Sequence, residues 1–312
     1  MKIVFAGTPE FAVLPLQKLI ENGADVVGVI TQTDKPQGRK GILTPPPVKT
    51  AGISLGLPVL QPMKIKDEIE RVKALGGELL VTCAYGQILT QDVLDLFPLG
   101  VWNIHAGLLP QYRGASPIQS CILAGEKETG VSIMKTELGL DSGDILLVEK
   151  TPIGEKETFG ELSKRLSEIG ADLIVKAVKL LENGNYTLTK QGTDGVNVVR
   201  KIGKERAKID FSKTAKEIEY LVRAMNPEPT AHTAINGLKI NVFAVEEVAL
   251  PSGCEDAKAG EVLTDSPKQG LIVRCQDGAV KILELQASGG KRMKGSDFLN
   301  GRKVKKGDAF EC

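Results

Sequence analysis

Short runs of unbroken apolar residues alternate with helical periodicity through the first half of the chain. "KIVFAG" reads as a buried strand, residues 10–22 as a helix closed by Gly23, and "DVVGVIT" as a second strand. Residues 48–56 carry a helical pattern, "LPVLQP" a short strand and 64–75 an amphipathic helix. "ELLVTCA" and "GVWNIH" are strands on either side of a short helix at 90–96, and residues 158–183 form the longest helix, ending at Gly184. Strands of continuous Val, Ile and Leu character need cover on both faces, which a parallel sheet between two helical layers provides. The pattern predicts an α/β domain with a doubly wound, mostly parallel sheet. Its ligand site is expected outside the carboxyl ends of the strands.

The texture changes after that helix. Residues 189–207 are polar, lack apolar periodicity and read as a linker between an N-terminal domain at 1–188 and a second domain at 208–312. "IDFSKTAKEIEYLVRAMNPEP" reads as a helix capped by Ser212 or Thr214, with Pro227 beyond its end. From residue 230 onward, short alternating strands broken by "NG", "DG" and "SGG" turns point to a small β-barrel.

Composition adds mainly exclusions. No stretch approaches the roughly 20 apolar residues that span a bilayer, and the opening apolar run breaks at Gly7-Thr8-Pro9-Glu10, so strand–turn–helix fits better than a signal peptide. The five cysteines are scattered without CxxC spacing, as expected of reduced thiols in a cytoplasmic protein. With two histidines and no paired cysteines, no metal site is expected. No heptad pattern or interface stripe appears, so a monomer is expected. The net charge of +1 conceals an asymmetry: residues 201–312 hold 19 basic against 16 acidic residues, and the first 200 hold 21 against 23. "KRMKGSDFLNGRKVKK" at 291–306 contains seven basic residues and one acid. That is either a polyanion-contacting patch or a solvated surface of lysines. Aromatic residues make up only 4% of the chain, which disfavours nucleic-acid binding through stacked bases and leaves phosphate contact open.

The motifs of nucleotide binding and zinc-protease chemistry are missing: "AGTPEFA" replaces GxGxxG after the first strand, and GxxxxGK and HExxH do not occur. Asn103 and His105 lie two apart on a predicted strand, so both side chains project from one face. An amide donor beside an imidazole suits a reaction in which an oxyanion develops. "GLDSGD" places Asp141 and Asp144 in a tight loop between apolar strands at 129–135 and 145–148, and an aspartate beside His105 would orient the ring. Each residue alone is equally explained as a strand cap, a satisfied core histidine or a turn former. The conjunction is what points to chemistry. His232 reads as a packing or surface residue, and Cys83 and Cys121 read as core thiols.

"NIHAGLLPQYRGASPI" resembles the signature of the folate-dependent formyltransferases, and "GLDSGD" resembles their aspartate loop. "FAGTPEFA", "VVGVITQTDKPQGR", "LPVLQP" and "AMNPEPTAHTAING" resemble the tRNA-directed branch of that family, in the same order along nearly the whole chain. The resemblance implies a Rossmann-like catalytic domain, a C-terminal OB-like barrel that binds tRNA, and transfer of formyl from 10-formyltetrahydrofolate to methionine on initiator tRNA. It implies direct attack by the neutral amine through a tetrahedral adduct. Asn103, His105 and Asp141 would be the catalytic trio, and Gly107, Leu108, Leu109 and Pro110 the folate-contacting segment. The loop at 31–49 would enter the acceptor end of tRNA with Lys35, Arg39 and Lys40. Lys291, Arg292, Lys294, Arg302 and Lys303 would grip the backbone. Two departures stand out: Gly107 occupies a position where the family carries serine, and "GRKGIL" replaces the commoner "GRGKK". Two rivals remain at this level: a formyltransferase acting on an amino sugar or small ribonucleotide, and a non-catalytic RNA-binding protein on a similar scaffold.

Overall fold

The apolar runs of the first half become strands, in the order β1 (Lys2–Gly7), β2 (Asp25–Ile30), β3 (Lys35–Gln37), β4 (Ile42–Thr44), β5 (Val59–Leu60), β6 (Leu79–Cys83), β7 (Val101–His105), β8 (Arg113–Gly114), β9 (Glu128–Lys135) and β10 (Ile145–Pro152). The intervening helices are α1 (Val13–Glu21), α2 (Pro47–Ser54), α3 (Ile69–Lys73), α4 (Gln91–Leu94), α5 (Pro117–Leu123) and α6 (Phe159–Asn183), and the strand β11 (Val198–Val199) follows. The computed structural model describes residues 1–38, 41–301 and 304–311. It divides into two compact units, one of Met1–Pro117, Glu128–Pro152 and Ser163–Arg200, the other of Ile118–Lys127, Ile153–Leu162 and Lys201–Cys312. Among the described residues no helix is long and apolar enough to cross a membrane.

The first unit is built on a seven-stranded sheet in the order β10-β9-β7-β6-β1-β2-β5. The strands from β7 to β5 pair in parallel, and β9 and β10 add antiparallel pairs at one edge. Burial explains the sequence: every residue of β6 is buried, as is all of β1 after Lys2, because both faces are covered. From β1 the chain winds to β2 and β5 on one side and to β6 and β7 on the other, so the sheet is doubly wound around β1. Threads of hydrogen bonds lace the carboxyl ends together there. Thr8 Oγ1 after β1 and Gln32 Nε2 after β2 both donate to the carbonyl of Tyr85 beyond β6, at 2.9 and 3.0 Å.

Local detail departs from the periodicity in understandable ways. The helix expected from residue 10 starts as a 3-10 turn at Glu10–Ala12 and becomes α-helical only at Val13, with Pro15 in its first turn, where no amide donor is missed. The long connection 31–49 carries the antiparallel pair β3–β4. Its base is pinned by Lys49 Nζ, 2.8 Å from both Asp34 carboxylate oxygens, and by Gln61 Nε2 at 2.7 Å. The Gln61 hydrogen bond and the Lys49 contact hold the Asp34 carboxyl below its usual range.

In the second unit, α7 (Ala215–Ala224) is followed by β12 (Ala231–Ile235), β13 (Leu238–Val248), β14 (Leu271–Arg274), β15 (Ala279–Ala287), β16 (Arg292–Lys294) and α8 (Gly295–Asn300). Thr214 is the cap of α7: its hydroxyl accepts from Glu217 N while Glu217 accepts from Thr214 N, a reciprocal capping box. Ser212 instead bonds Asp210. The Asn236-Gly237 turn between β12 and β13 has φ +51° and +74°, the left-handed pair that a two-residue hairpin demands. The strands form an antiparallel sheet in the order β12-β13-β15-β14, with β16 on β15. The sheet is compatible with an OB-like barrel, but among the described residues its ladder does not close. Isolated bridges such as Ile235 to Phe310 and Val262 to Val273 extend it.

Candidate active site

Strand β7 ends at the carboxyl edge of the sheet, held in parallel register by β6 and antiparallel register by β9. Asn103 pairs with Thr82 and Met134, and His105 with Ser132. The two-residue spacing therefore places Asn103 and His105 on one face of the strand, as the sequence pattern requires. His105 is buried. Its Nδ1 lies 3.6 Å from Asp141 Oδ2 and its Nε2 lies 3.1 Å from the carbonyl oxygen of Tyr112. Each ring nitrogen thus faces an acceptor, and a neutral imidazole can donate to only one of them. Burial pushes the His105 pKa below its ordinary value of 6.5, against the opposing pull of the Asp141 charge and the Tyr112 carbonyl.

Asp141 is held independently of the histidine. Its Oδ2 accepts the Gly114 amide at 2.7 Å, and its carbonyl accepts Gln191 Nε2 at 2.8 Å. The residue has φ +45°, a left-handed conformation that L side chains rarely adopt and that persists where surrounding contacts over-determine it. Two positions on, Gly143 is dictated by space, since a Cβ there would lie 1.9 Å from the Lys135 carbonyl oxygen. Asp144, the other acid of this loop, uses its carbonyl to accept the amide of Lys135.

Asn103 is oriented from behind. Thr82 Oγ1 donates to its Oδ1 at 2.9 Å, which fixes the amide and leaves Nδ2 as a donor with no acceptor among the described residues. The segment Gly107–Pro110 is fixed by Ser132, whose hydroxyl donates to the Gly107 carbonyl at 2.8 Å and accepts the Leu109 amide at 3.3 Å. Leu109 packs with Met134 and Ile145. Among the described residues, the Leu108 N–H and the Leu109 carbonyl have no protein partner. One donor and one acceptor beside an apolar cluster match the edge of a heteroaromatic ring system such as a pterin, so these residues fit a folate. Gly107 is a tight position: a Cβ would meet His105 Nε2 at 3.1 Å and Pro117 Cβ at 3.2 Å. A serine here would press on the imidazole unless the ring gave by a few tenths of an ångström.

Thr82, Ser132 and Gln191 were not singled out from sequence. Thr82 and Ser132 carry a signal in retrospect, because each is a buried hydroxyl flanked by apolar residues of its strand. Such a group must have a partner, and the partner here is the site.

The basic residues divide. Lys35 is exposed and its Nζ donates to Gln32 Oε1 at 2.5 Å. Arg39, Lys40, Arg302 and Lys303 lie outside the described residues. Lys291 and Lys294 are exposed and form no ion pair among the described residues. Arg292 is engaged: its guanidinium sits 4.1 Å from the Phe243 ring centroid and pairs with both carboxylate oxygens of Glu284, at 2.5 and 2.6 Å.

Known proteins place this architecture. Residues 1–178 match the formyl transferase family and residues 201–303 match the formyl transferase C-terminal domain. A methionyl-tRNA formyltransferase of Bacillus cereus is 44% identical over 305 residues, covering 97% of this chain and 96% of the relative. One of Bacillus cytotoxicus is 42% identical over 309 residues, covering 98% of each. Among solved structures, the N-formyltransferase of Helicobacter canadensis, in complex with folinic acid and dTDP-3-aminofucose, superposes with TM-score 0.67 at 20% identity. That match covers 90% of this chain and 98% of that one. HypX of Aquifex aeolicus in complex with tetrahydrofolic acid gives TM-score 0.66 at 18% identity over 98% of this chain and 48% of its own. These two superpositions establish a shared fold, and the family matches and close relatives extend along both units: the chain belongs to the formyl transferase family.

Proposed function

We propose that this chain transfers a formyl group from 10-formyltetrahydrofolate to the amino group of methionine carried on initiator tRNA, in the cytoplasm, for translation initiation. The observation that carries this reading is the assembly of Asn103, His105 and Asp141 at one strand end, in a chain 44% identical over 305 residues to a relative named for that reaction. The folate supplies an electrophilic formyl carbon. The Leu108 amide and Leu109 carbonyl would hold its ring edge, and the neutral acceptor amine attacks the formyl carbon directly to form a tetrahedral adduct. Asn103 donates its Nδ2 to the negative charge that builds on the formyl oxygen, and its orientation is set in advance by Thr82. His105, neutral through burial, can turn its Nε2 from the Tyr112 carbonyl to that oxygen. As the adduct collapses, the bond between the formyl carbon and the folate nitrogen breaks, and the proton lost by the amine is relayed through the His105–Asp141 pair to that leaving nitrogen. Asp141 keeps the ring aligned and stabilises the charge His105 acquires during transfer. No side chain is read as a nucleophile. Cys83, at the end of β6, is buried and its thiol pKa is pushed well up by burial, which leaves it inert.

The C-terminal unit, with Lys291 and Lys294, and the loop holding Lys35 are read as the tRNA-binding surfaces of a monomer. The test is formation of formyl-methionyl-tRNA from purified protein, the formyl folate and methionyl-initiator tRNA, with His105→Ala as control. Product that vanishes in the control supports the reaction and the site together. Formylation of an amino-sugar nucleotide in place of tRNA would sink the assignment of acceptor.

A further inference from the structure

The polar stretch after α6 runs as a strap bonded at both ends, from the start of β10 to β8. At its start, Thr189 and Ile145 exchange both backbone hydrogen bonds at 2.8 Å. At its end, β11 pairs in parallel with β8, and Asn197 Oδ1 accepts the Tyr112 amide. Between these ends lies Gln191, with its side-chain amide engaged at both atoms. Nε2 donates to the carbonyls of Asp141 and Gly143, at 2.8 and 2.7 Å. Oε1 accepts from Arg113 Nε and Nη2, at 3.1 and 2.7 Å. One side chain therefore joins the aspartate loop to the segment that follows the folate-contacting residues. Arg113 neighbours Gly114, whose amide holds the Asp141 carboxylate, and Tyr112, whose carbonyl faces His105.

We infer that Gln191 is a positioning residue for the formyl-transfer site, holding the aspartate loop so that the Asp141 carboxylate stays against His105. The inference rests on the reading above for its rate consequence and on geometry alone for its structural one. Asp141 has a left-handed backbone whose carbonyl is fixed by Gln191, so releasing that carbonyl frees the loop to relax toward an ordinary conformation. A displacement of about 1 Å in a catalytic group is enough to cost roughly 100-fold in rate. The alternative is that Gln191 merely stabilises the fold, which would lower the melting temperature and leave the site unchanged.

Two variants separate these outcomes. Gln191→Met keeps the bulk and removes every polar contact. Gln191→Glu keeps an acceptor for Arg113 and places oxygens against the carbonyls of Asp141 and Gly143. The first readout is the His105 ring titration by nitrogen NMR, which needs neither tRNA nor folate and is simple to assign in a chain with two histidines. In Gln191→Met the midpoint should move down, in the direction of an Asp141→Asn reference, because Asp141 is the charged group that faces the ring. The second readout is turnover: kcat should fall roughly tenfold or more in both variants, with the KM for tRNA nearly unchanged. A His105 midpoint that stays at the wild-type value in Gln191→Met overturns the inference, as does wild-type turnover by Gln191→Glu. A shifted midpoint in a protein that forms no formyl-methionyl-tRNA even as wild type would uphold the positioning role and reject the proposed reaction instead.

Discussion

The end of β7 and the segment 291–306 are both polar, and they are built on opposite physical plans. Around β7, each candidate group is held by a second group that does no chemistry: Thr82 on Asn103, Gly114 and Gln191 on Asp141, Ser132 on Gly107 and Leu109. His105, Thr82 and Ser132 are buried while Asn103 and Asp141 are half-buried, and the supporting hydrogen bonds fix the geometry before any substrate arrives. In the basic segment, Lys291 and Lys294 are exposed on flexible stems with no ion pair among the described residues, a plan suited to a partner recognised by charge density rather than atomic position. Arg292 shows how the two plans differ within three residues. It is charged like its neighbours, yet it is spent on Glu284 and Phe243 and so belongs to the structure of the sheet.

The sharpest way to break this contrast is to remove one preorganised donor. Asn103→Ala should lower kcat by about 10²- to 10³-fold, with little change in tRNA affinity measured by filter binding. Turnover close to wild type would reject Asn103 as the oxyanion donor. Next in size is the group that orients it: Thr82→Val leaves the amide free to rotate, and kcat should drop several-fold while the melting temperature changes little. A full loss of folded protein would show instead that Thr82 serves the core.

A third test uses pH. The folded-state pKa of His105 lies below its ordinary value of 6.5, so the unfolded chain binds more protons as the solution is acidified. The stability this buried neutral ring contributes is present above 6.5 and is lost as pH falls through the folded value. Chemical denaturation from pH 7.5 to 5 should show falling stability with a histidine contribution that disappears in His105→Gln. In Asp141→Asn the opposing charge is gone, and the His105 NMR midpoint should move lower still. A midpoint that rises would mean the carboxylate does not face the ring in solution.

On the other side of the comparison, Lys291→Ala with Lys294→Ala should weaken tRNA binding, leave kcat unchanged and reduce the salt dependence of binding by roughly one logarithmic unit of slope per lysine removed. Arg292→Ala should leave that slope nearly unaltered and lower the melting temperature, because its charge is already paired. The smallest effect concerns stability alone: Thr214→Ala removes the capping box of α7 and should cost about 1 kcal/mol in denaturant unfolding.

The sequence by itself determined the parts governed by local periodicity and local steric rules. Continuous apolar runs could only be strands covered on both faces, Asn103 and His105 had to share a face because strands repeat every two residues, and Asn236-Gly237 had to turn left-handed. The capping of α7 was legible to within two candidates, and only the hydrogen bonds chose Thr214 over Ser212. Resemblance brought Asp141 to His105, but it did not say what keeps it there. That was decided by contacts far apart along the chain: Gln191 reaches Asp141 across 50 positions and Arg113 across 78, from a polar stretch with no periodicity to read. The tertiary structure also settled which charges are free, since Lys291 and Arg292 are neighbours in sequence and only packing gives one of them a carboxylate and a ring. Local patterns record which face a residue occupies. Who stands opposite it is fixed only when the sheet brings distant segments to the same edge.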